Sequence, residues 1–202
     1  MMKRLNLGSQ PNRRLALQTL LVASTWPAAL TLRAQTAPDV AALLRAGGCV
    51  LMLRHAQTEA GVGDPPNFQP DQCSTQRNLS DEGRAQSKRI AQWFAARNLT
   101  VTSVQSSAWC RCKDTATLAF GRFDLLPALN STFDSRSTQA AQTEALRERL
   151  KGIRAGQFEV WVTHQVNISS MTGEGPAMGE AFVIKVGTGG SPGRVLARTS
   201  FT

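Results

Sequence analysis

Between residues 49 and 186 the chain alternates short apolar runs with longer segments of helical periodicity. Cys49-Val50-Leu51-Met52-Leu53 is an unbroken apolar run of strand length that follows Gly47-Gly48. Such runs suit strands covered on both faces, as in a parallel sheet. Residues 101–106, 158–163 and 181–186 give three further strand candidates. Residues 35–48 predict a short helix through Val40-Ala41-Ala42-Leu43-Leu44, closed by the glycine pair. Ser80-Asp81-Glu82 opens another, with Ser80 as N-cap and acids in the first turn, and Ile90, Trp93, Phe94 and Arg97 follow at helical spacing. Helices are also predicted over residues 112–120 and 138–150, the latter with Ala141, Ala145, Leu146 and Leu150 on one apolar face. Residues 56–79, punctuated by Gly61, Gly63, Pro65, Pro66 and Pro70, read as a long loop of the kind that carries function, and residues 187–193 as a glycine-rich one. Strands alternating with helices predict an α/β fold. Its central sheet is mostly parallel with helices on both faces, a three-layer α/β/α arrangement. Ligands of such folds bind at the carboxyl ends of the strands.

The length of 202 residues suits one domain with a sizeable core, and 42% hydrophobic against 18% charged residues argues against general disorder. Residues 1–34 change the picture. Lys3, Arg4, Arg13 and Arg14 precede the apolar stretch Leu15 to Ala23, and a small-residue exit follows through Pro27-Ala28-Ala29 to Leu32-Arg33-Ala34. That is the layout of a secretory leader, and the paired arginines resemble a twin-arginine signal. Gln18, Thr19, Ser24 and Pro27 make the stretch a poor bilayer span. We therefore expect an exported chain, periplasmic or secreted, with residues 35–202 as a single catalytic domain and no stable membrane insertion once the leader is removed. Removing the five leader cations from the formal charge of +9 leaves +4. That mild excess suits an anionic small substrate, and without basic runs or interleaved aromatics it supports no specific nucleic-acid surface.

Cys49, Cys73, Cys110 and Cys112 allow up to two disulfides in an oxidising compartment. Cys110 and Cys112 stand too close for an easy mutual bridge, which favours Cys73 pairing with one of them. Cys-x-Cys has the wrong spacing for a zinc knuckle and histidine is scarce, so no metal site is expected.

The chain has two histidines, and both follow predicted strands. His55 lies in Leu53-Arg54-His55-Ala56-Gln57-Thr58 and His164 in Val162-Thr163-His164-Gln165. A third segment, Ser106-Ser107-Ala108-Trp109-Cys110-Arg111-Cys112-Lys113-Asp114-Thr115-Ala116, runs from the second strand into a helix start, a position that favours anions. Together these segments resemble the histidine phosphatase (phosphoglycerate mutase-like) superfamily, in its compact phosphatase branch. Arg54, His55, Ala56 and Thr58 match its first motif, Ser106, Ser107, Arg111, Thr115 and Ala116 its second, and Thr163-His164 its third. Arg77-Asn78-Leu79-Ser80-x-x-Gly83 is similar to the family's helix start. The resemblance implies a phosphatase acting on a small phosphorylated substrate through a phosphohistidine on His55. Arg54, Arg111, His164 and Thr58 would bind the phosphoryl group, with no metal and no cofactor. The residue types fit that chemistry: neutral imidazole is a nucleophile near neutral pH, and guanidinium offers paired donors to phosphoryl oxygens.

The departure from the family is the general acid. Leu129-Asn130-Ser131-Thr132-Phe133-Asp134 occupies the region after the second motif where the family carries its acid, no Glu stands there, and Asp134 and Glu59 are the candidates. Without an acid, worth about 10²–10⁴ in rate, substrates with good leaving groups would be preferred. Two alternatives stand beside the phosphatase: a phosphomutase of the same family, and a non-catalytic phosphate- or polyanion-binding protein of the same fold.

Overall fold

The computed structural model describes residues 39–61, 63–133, 136–187 and 193–201. The expected leader, residues 1–34, lies outside them. Six strands form one sheet: β1 Cys49–Arg54, β2 Ser103–Ser106, β3 Asp124–Leu125, β4 Phe158–Thr163, β5 Glu180–Lys185 and β6 Arg194–Ser200, in the order β3-β2-β4-β1-β5-β6. β3, β2, β4 and β1 run parallel, β5 is antiparallel to β1, and β6 is antiparallel to β5. The mostly parallel α/β sheet expected from the sequence is therefore present.

Five helices cover it: α1 Val40–Ala46, α2 Asp81–Ala95, α3 Cys110–Phe120, α4 Gln139–Lys151 and α5 Gln165–Thr172. Alternation along the strands divides the core between two faces. On β1 and β4, Cys49, Leu51, Leu53, Phe158, Val160 and Val162 pack with Leu44 of α1, Ile90 and Phe94 of α2, and Cys112, Ala116 and Ala119 of α3. On the other face Val50, Met52 and Trp161 pack with Leu146 and Leu150 of α4 and Ile168 and Met171 of α5. Each fully buried aliphatic side chain contributes about 1.5–3 kcal/mol. Among the described residues no helix is long and apolar enough to cross a membrane.

Ser80 caps α2 as expected, accepting from Gly83 N–H. Gly83 has a specific reason to be glycine: a Cβ there would lie 1.8 Å from the carbonyl oxygen of Gln57. The first turn of α2 is thus pressed onto the loop leaving β1. Helix α3 starts two residues earlier than expected, which puts Arg111 inside its first turn. Three elements lack a clear sequence signal: two-residue β3, edge strand β6, and α5, whose Gln-Val-Asn-Ile-Ser-Ser-Met-Thr composition is weakly helical.

Topology positions the site. The chain leaves β1 for helices on one face and leaves β4 for α5 on the other. Adjacent strands whose connections diverge in this way open a crevice at their carboxyl ends.

Candidate active site

Register brings the two histidines together. Arg54 and Thr163 are Cα partners at the ends of β1 and β4, and His55 N–H donates to Thr163 O at 3.0 Å. His55 and His164 are the next residues on each strand, and their ring centroids lie 5.5 Å apart. One strand over, Ser107 N–H donates to Val162 O, bringing the second motif to the same row.

His55 is 3% exposed. Its Nδ1 lies 2.9 Å from Ala56 O. A carbonyl can only accept, so Nδ1 carries the proton and Nε2 the lone pair. The Ala56 peptide is itself fixed: its N–H donates to Thr115 Oγ1, and the Thr115 hydroxyl donates to Arg111 O. Burial drives the His55 pKa down to about 3, helped by the charges of Arg111, Arg54 and Arg77 and opposed by the Ala56 hydrogen bond. The imidazole is neutral at physiological pH.

His164 is held from the other side. Arg111 Nη2, a pure donor, lies 3.5 Å from Nδ1, so Nε2–H donates to Ser107 Oγ at 2.8 Å. The Ser107 hydroxyl donates onward to Asn130 Oδ1, which also accepts from Ala108 N–H. Burial first, then the neighbouring His55 and Arg111, hold its pKa well below the ordinary histidine range.

Three guanidinium groups converge here. Arg54 Nη1 donates to Pro176 O and Arg77 Nη1 to Gly61 O. Arg111 forms a two-pronged pair with Asp64, Nη1 to Oδ1 at 2.6 Å and Nη2 to Oδ2 at 3.1 Å. The Nε of all three is buried without a partner among the described residues. Three guanidinium groups lining one cavity make a place where an anion would be welcome. The cavity holds about 260 Å³ and is lined by Arg54, His55, Asp64, Arg77, Arg111 and His164, with Ser131 and Phe133 at its rim. Phe133 is 62% exposed, an apolar surface beside a charged floor. Among the described residues no group of three or more His, Cys, Asp or Glu could hold a metal ion.

Of the residues singled out in the sequence, His55, His164, Arg54 and Arg111 share this cavity. Thr58 does not line it. Its side chain is buried and its hydroxyl donates to Met178 Sδ. Glu59 is exposed and also outside the lining. Asp134 lies outside the described residues. Three further residues belong to this cluster of contacts without being singled out by the sequence pattern. Arg77 stands in the helix-start segment, close to Leu79, and its position at the head of that motif was its one signal. Asp64 sits in an irregular loop without periodicity, and Ser107 was read only as part of a motif. Cys73 is bridged to Cys110, which ties the loop bearing Asp64 and Arg77 to the residue before Arg111, while Cys49 and Cys112 are free and buried.

Comparison with known proteins gives three findings. The family model described as "Histidine phosphatase superfamily (branch 1)" matches residues 50–177. Among solved structures, a phosphoglycerate mutase from Thermus thermophilus superposes with a TM-score of 0.52 at 21% identity, covering 76% of this chain and 99% of that one. The protein histidine phosphatase SixA complexed with tungstate gives 0.50 at 16% identity, covering 75% and 96%. Comparison with curated proteins gave no match.

Proposed function

The chain belongs to the histidine phosphatase superfamily, and from that premise we propose that it is a phosphatase forming its covalent intermediate on His55. The observation that carries this reading is the tautomer. Ala56 O holds the Nδ1 proton and leaves the Nε2 lone pair of a neutral, buried imidazole in a cavity ringed by Arg54, Arg77 and Arg111.

His55 Nε2 attacks phosphorus in line, the bond to the leaving-group oxygen or nitrogen breaks, and that atom departs with the electron pair. The positive charge developing on the ring is shared through Nδ1–H with the Ala56 carbonyl. Arg54, Arg77 and Arg111 stabilise the equatorial oxygens, where charge accumulates in phosphoryl transfer. Water then attacks the phosphohistidine, loses a proton, and releases inorganic phosphate and free His55. His164 joins the oxyanion ligands once its Nδ1 carries a proton. Rotation of the Ser107 hydroxyl from Asn130 toward His164 Nε2 permits that tautomer.

The cavity's one described carboxylate is Asp64, and both its oxygens are committed to Arg111. Burial alone would raise its pKa, but the hydrogen bonds and charge of Arg111 outweigh this and hold it below the ordinary value, so it is no proton donor. This supports substrates with good leaving groups, such as aryl phosphates, acyl phosphates and phosphoramidates, with Asp134 of the sequence as the remaining acid candidate. Two features support export: the leader-like residues 1–34 and the Cys73–Cys110 bridge, of a kind sustained in oxidising compartments.

The test is a quench of the protein during turnover of p-nitrophenyl phosphate. An acid-labile, base-stable phosphoryl adduct is expected on the wild type and not on a folded His55→Ala variant. Phosphate release by His55→Ala at the wild-type rate would overturn the assignment. With a phosphorylated substrate that carries a second hydroxyl, isomerisation without phosphate release would instead mark a mutase, and an oxyanion bound without turnover a binding protein.

A further inference from the structure

Asp64 is matched by none of the three motifs, yet it is among the most heavily bonded side chains of the cavity. Its side chain is 8% exposed. Oδ1 accepts from Arg111 Nη1 at 2.6 Å and from the backbone N–H of Arg77 at 3.1 Å. Oδ2 accepts from Arg111 Nη2 at 3.1 Å and from Trp109 Nε1 at 3.2 Å. Four donors saturate a carboxylate's usual acceptor sites, so this group is an anchor.

What it anchors follows from guanidinium geometry. The planar group presents an end-on fork, made by one N–H of each Nη, and a side-on fork, made by Nε–H and the other N–H of Nη2. Asp64 occupies the end-on fork. The Nε–H of the side-on fork is buried without a partner among the described residues. Nη2, the other half of that fork, is the atom facing His164 at 3.5 Å. The edge of Arg111 that Asp64 leaves unused is therefore the one whose Nη2 faces His164.

We propose that Asp64 is the positioning residue of the oxyanion site, gripping the far edge of Arg111 so that its Nε–H and Nη2–H are fixed toward the phosphoryl group. The proposal rests on the phosphatase reading above and deepens it. Without Asp64 the four rotatable bonds of Arg111 regain freedom that binding must then remove. The anchor is shared by two segments distant in sequence: Asp64 and Arg77 come from the loop after β1, Trp109 and Arg111 from the start of α3. The Cys73–Cys110 bridge joins the same two segments.

Charge and positioning predict opposite signs, which makes the idea testable. If Asp64 acted only as a negative charge near the site, Asp64→Asn would tighten oxyanion binding. As a positioning residue, its loss must weaken it. Tungstate affinity, measured by calorimetry on the intact protein, reports binding without requiring turnover, and p-nitrophenyl phosphate hydrolysis reports the reaction. Asp64→Asn is expected to weaken tungstate at least tenfold and lower kcat/KM by a similar factor. Asp64→Glu, which keeps the charge, is expected to recover part of both. The same Asp64→Asn change in an Arg111→Met background should shift tungstate affinity by less than twofold, because the group it acts through is gone. Circular dichroism and thermal melting establish that each variant is folded. Tungstate affinity unchanged or tighter in folded Asp64→Asn, or an undiminished effect without Arg111, would overturn the proposal while leaving the phosphatase reading intact. Failure of the wild type both to bind tungstate and to hydrolyse substrate would overturn the phosphatase reading instead.

Discussion

Lowering the pH from 7 to 4 should leave His55 neutral while it destabilises the protein, and both halves of that statement are measurable. Burial is the largest cause of the depressed pKa, followed by the charge of Arg111, and together with smaller contributions they bring it down to about 3. At pH 5 a histidine titrating at the ordinary 6.5 would be about 97% protonated, whereas one titrating near 3 would be about 1% protonated. The unfolded chain takes up its proton near 6.5 and the folded chain does not. Stability contributed by the neutral ring is thus fully present above pH 6.5 and lost progressively as the pH falls toward 3. Complete protonation of His55 corresponds to about 5 kcal/mol, and His164, depressed for related reasons, adds loss of the same sign. The chain has two histidines, so a carbon–proton correlation spectrum shows two ring Cε1 signals, assignable with His55→Asn and His164→Asn variants. The His55 signal should not titrate between pH 7.5 and 5, the His164 signal should titrate below the ordinary histidine range, and urea midpoints should fall as the pH is lowered over that interval. Saturating tungstate should move the His55 midpoint upward, because a bound dianion offsets the guanidinium charges. Arg111→Met should raise it only in part, since burial leads. A His55 midpoint between 6 and 7 in the ligand-free protein would refute the reasoning.

Three other outcomes follow from particular contacts. Ser107→Ala removes the partner of His164 Nε2–H and should lower kcat about tenfold without unfolding the chain, with a changed His164 ring-nitrogen pattern in nitrogen-15 spectra as the marker. Gly83→Ala should cost several kcal/mol in urea unfolding, because its Cβ would fall 1.8 Å from Gln57 O, a backbone atom that cannot swing away. Cys73→Ser opens a 37-residue loop, worth about 4 kcal/mol on chain-entropy grounds, and should raise KM for p-nitrophenyl phosphate by freeing the segment that carries Asp64 and Arg77.

The parts of this molecule legible in its sequence are those encoded by local pattern. The apolar run at Cys49 to Leu53, the Ser80 cap and the Gly47 stop each act within a few residues, and the structure places elements there. The convergence of His55, His164, Arg54 and Arg111 was legible for a different reason: all lie just beyond or beside strand ends, and a parallel sheet gathers its carboxyl ends into one row. β6 was invisible because an edge strand with one partly solvated face lacks the continuous apolar run of an interior strand. Asp64 has no such signal, because a carboxylate in an irregular loop looks like any solvated charge, and Arg77 carries only its place at the head of the helix-start segment, which does not point to the cavity. Their roles arise only when the loop folds back against α3, across 47 residues for Asp64 and Arg111.

Charge accounting links these buried groups to the proposed substrate. Three guanidiniums and one carboxylate line the cavity, for a formal +2 while both imidazoles are neutral. A phosphomonoester near neutral pH carries a charge approaching −2 and three terminal oxygens. It would cancel the cavity's charge and give the Arg54, Arg77 and Arg111 guanidiniums that line it oxygen acceptors. Protonating either imidazole would break this match by adding a third positive charge, and at His55 it would also remove the proposed nucleophile. A phosphodiester brings one charge and two terminal oxygens, leaving a guanidinium uncompensated in a buried site. Depressed histidine pKa values and an Asp64 locked as an anion thus serve one requirement: a cavity fixed at two positive charges, matched to a terminal phosphoryl group.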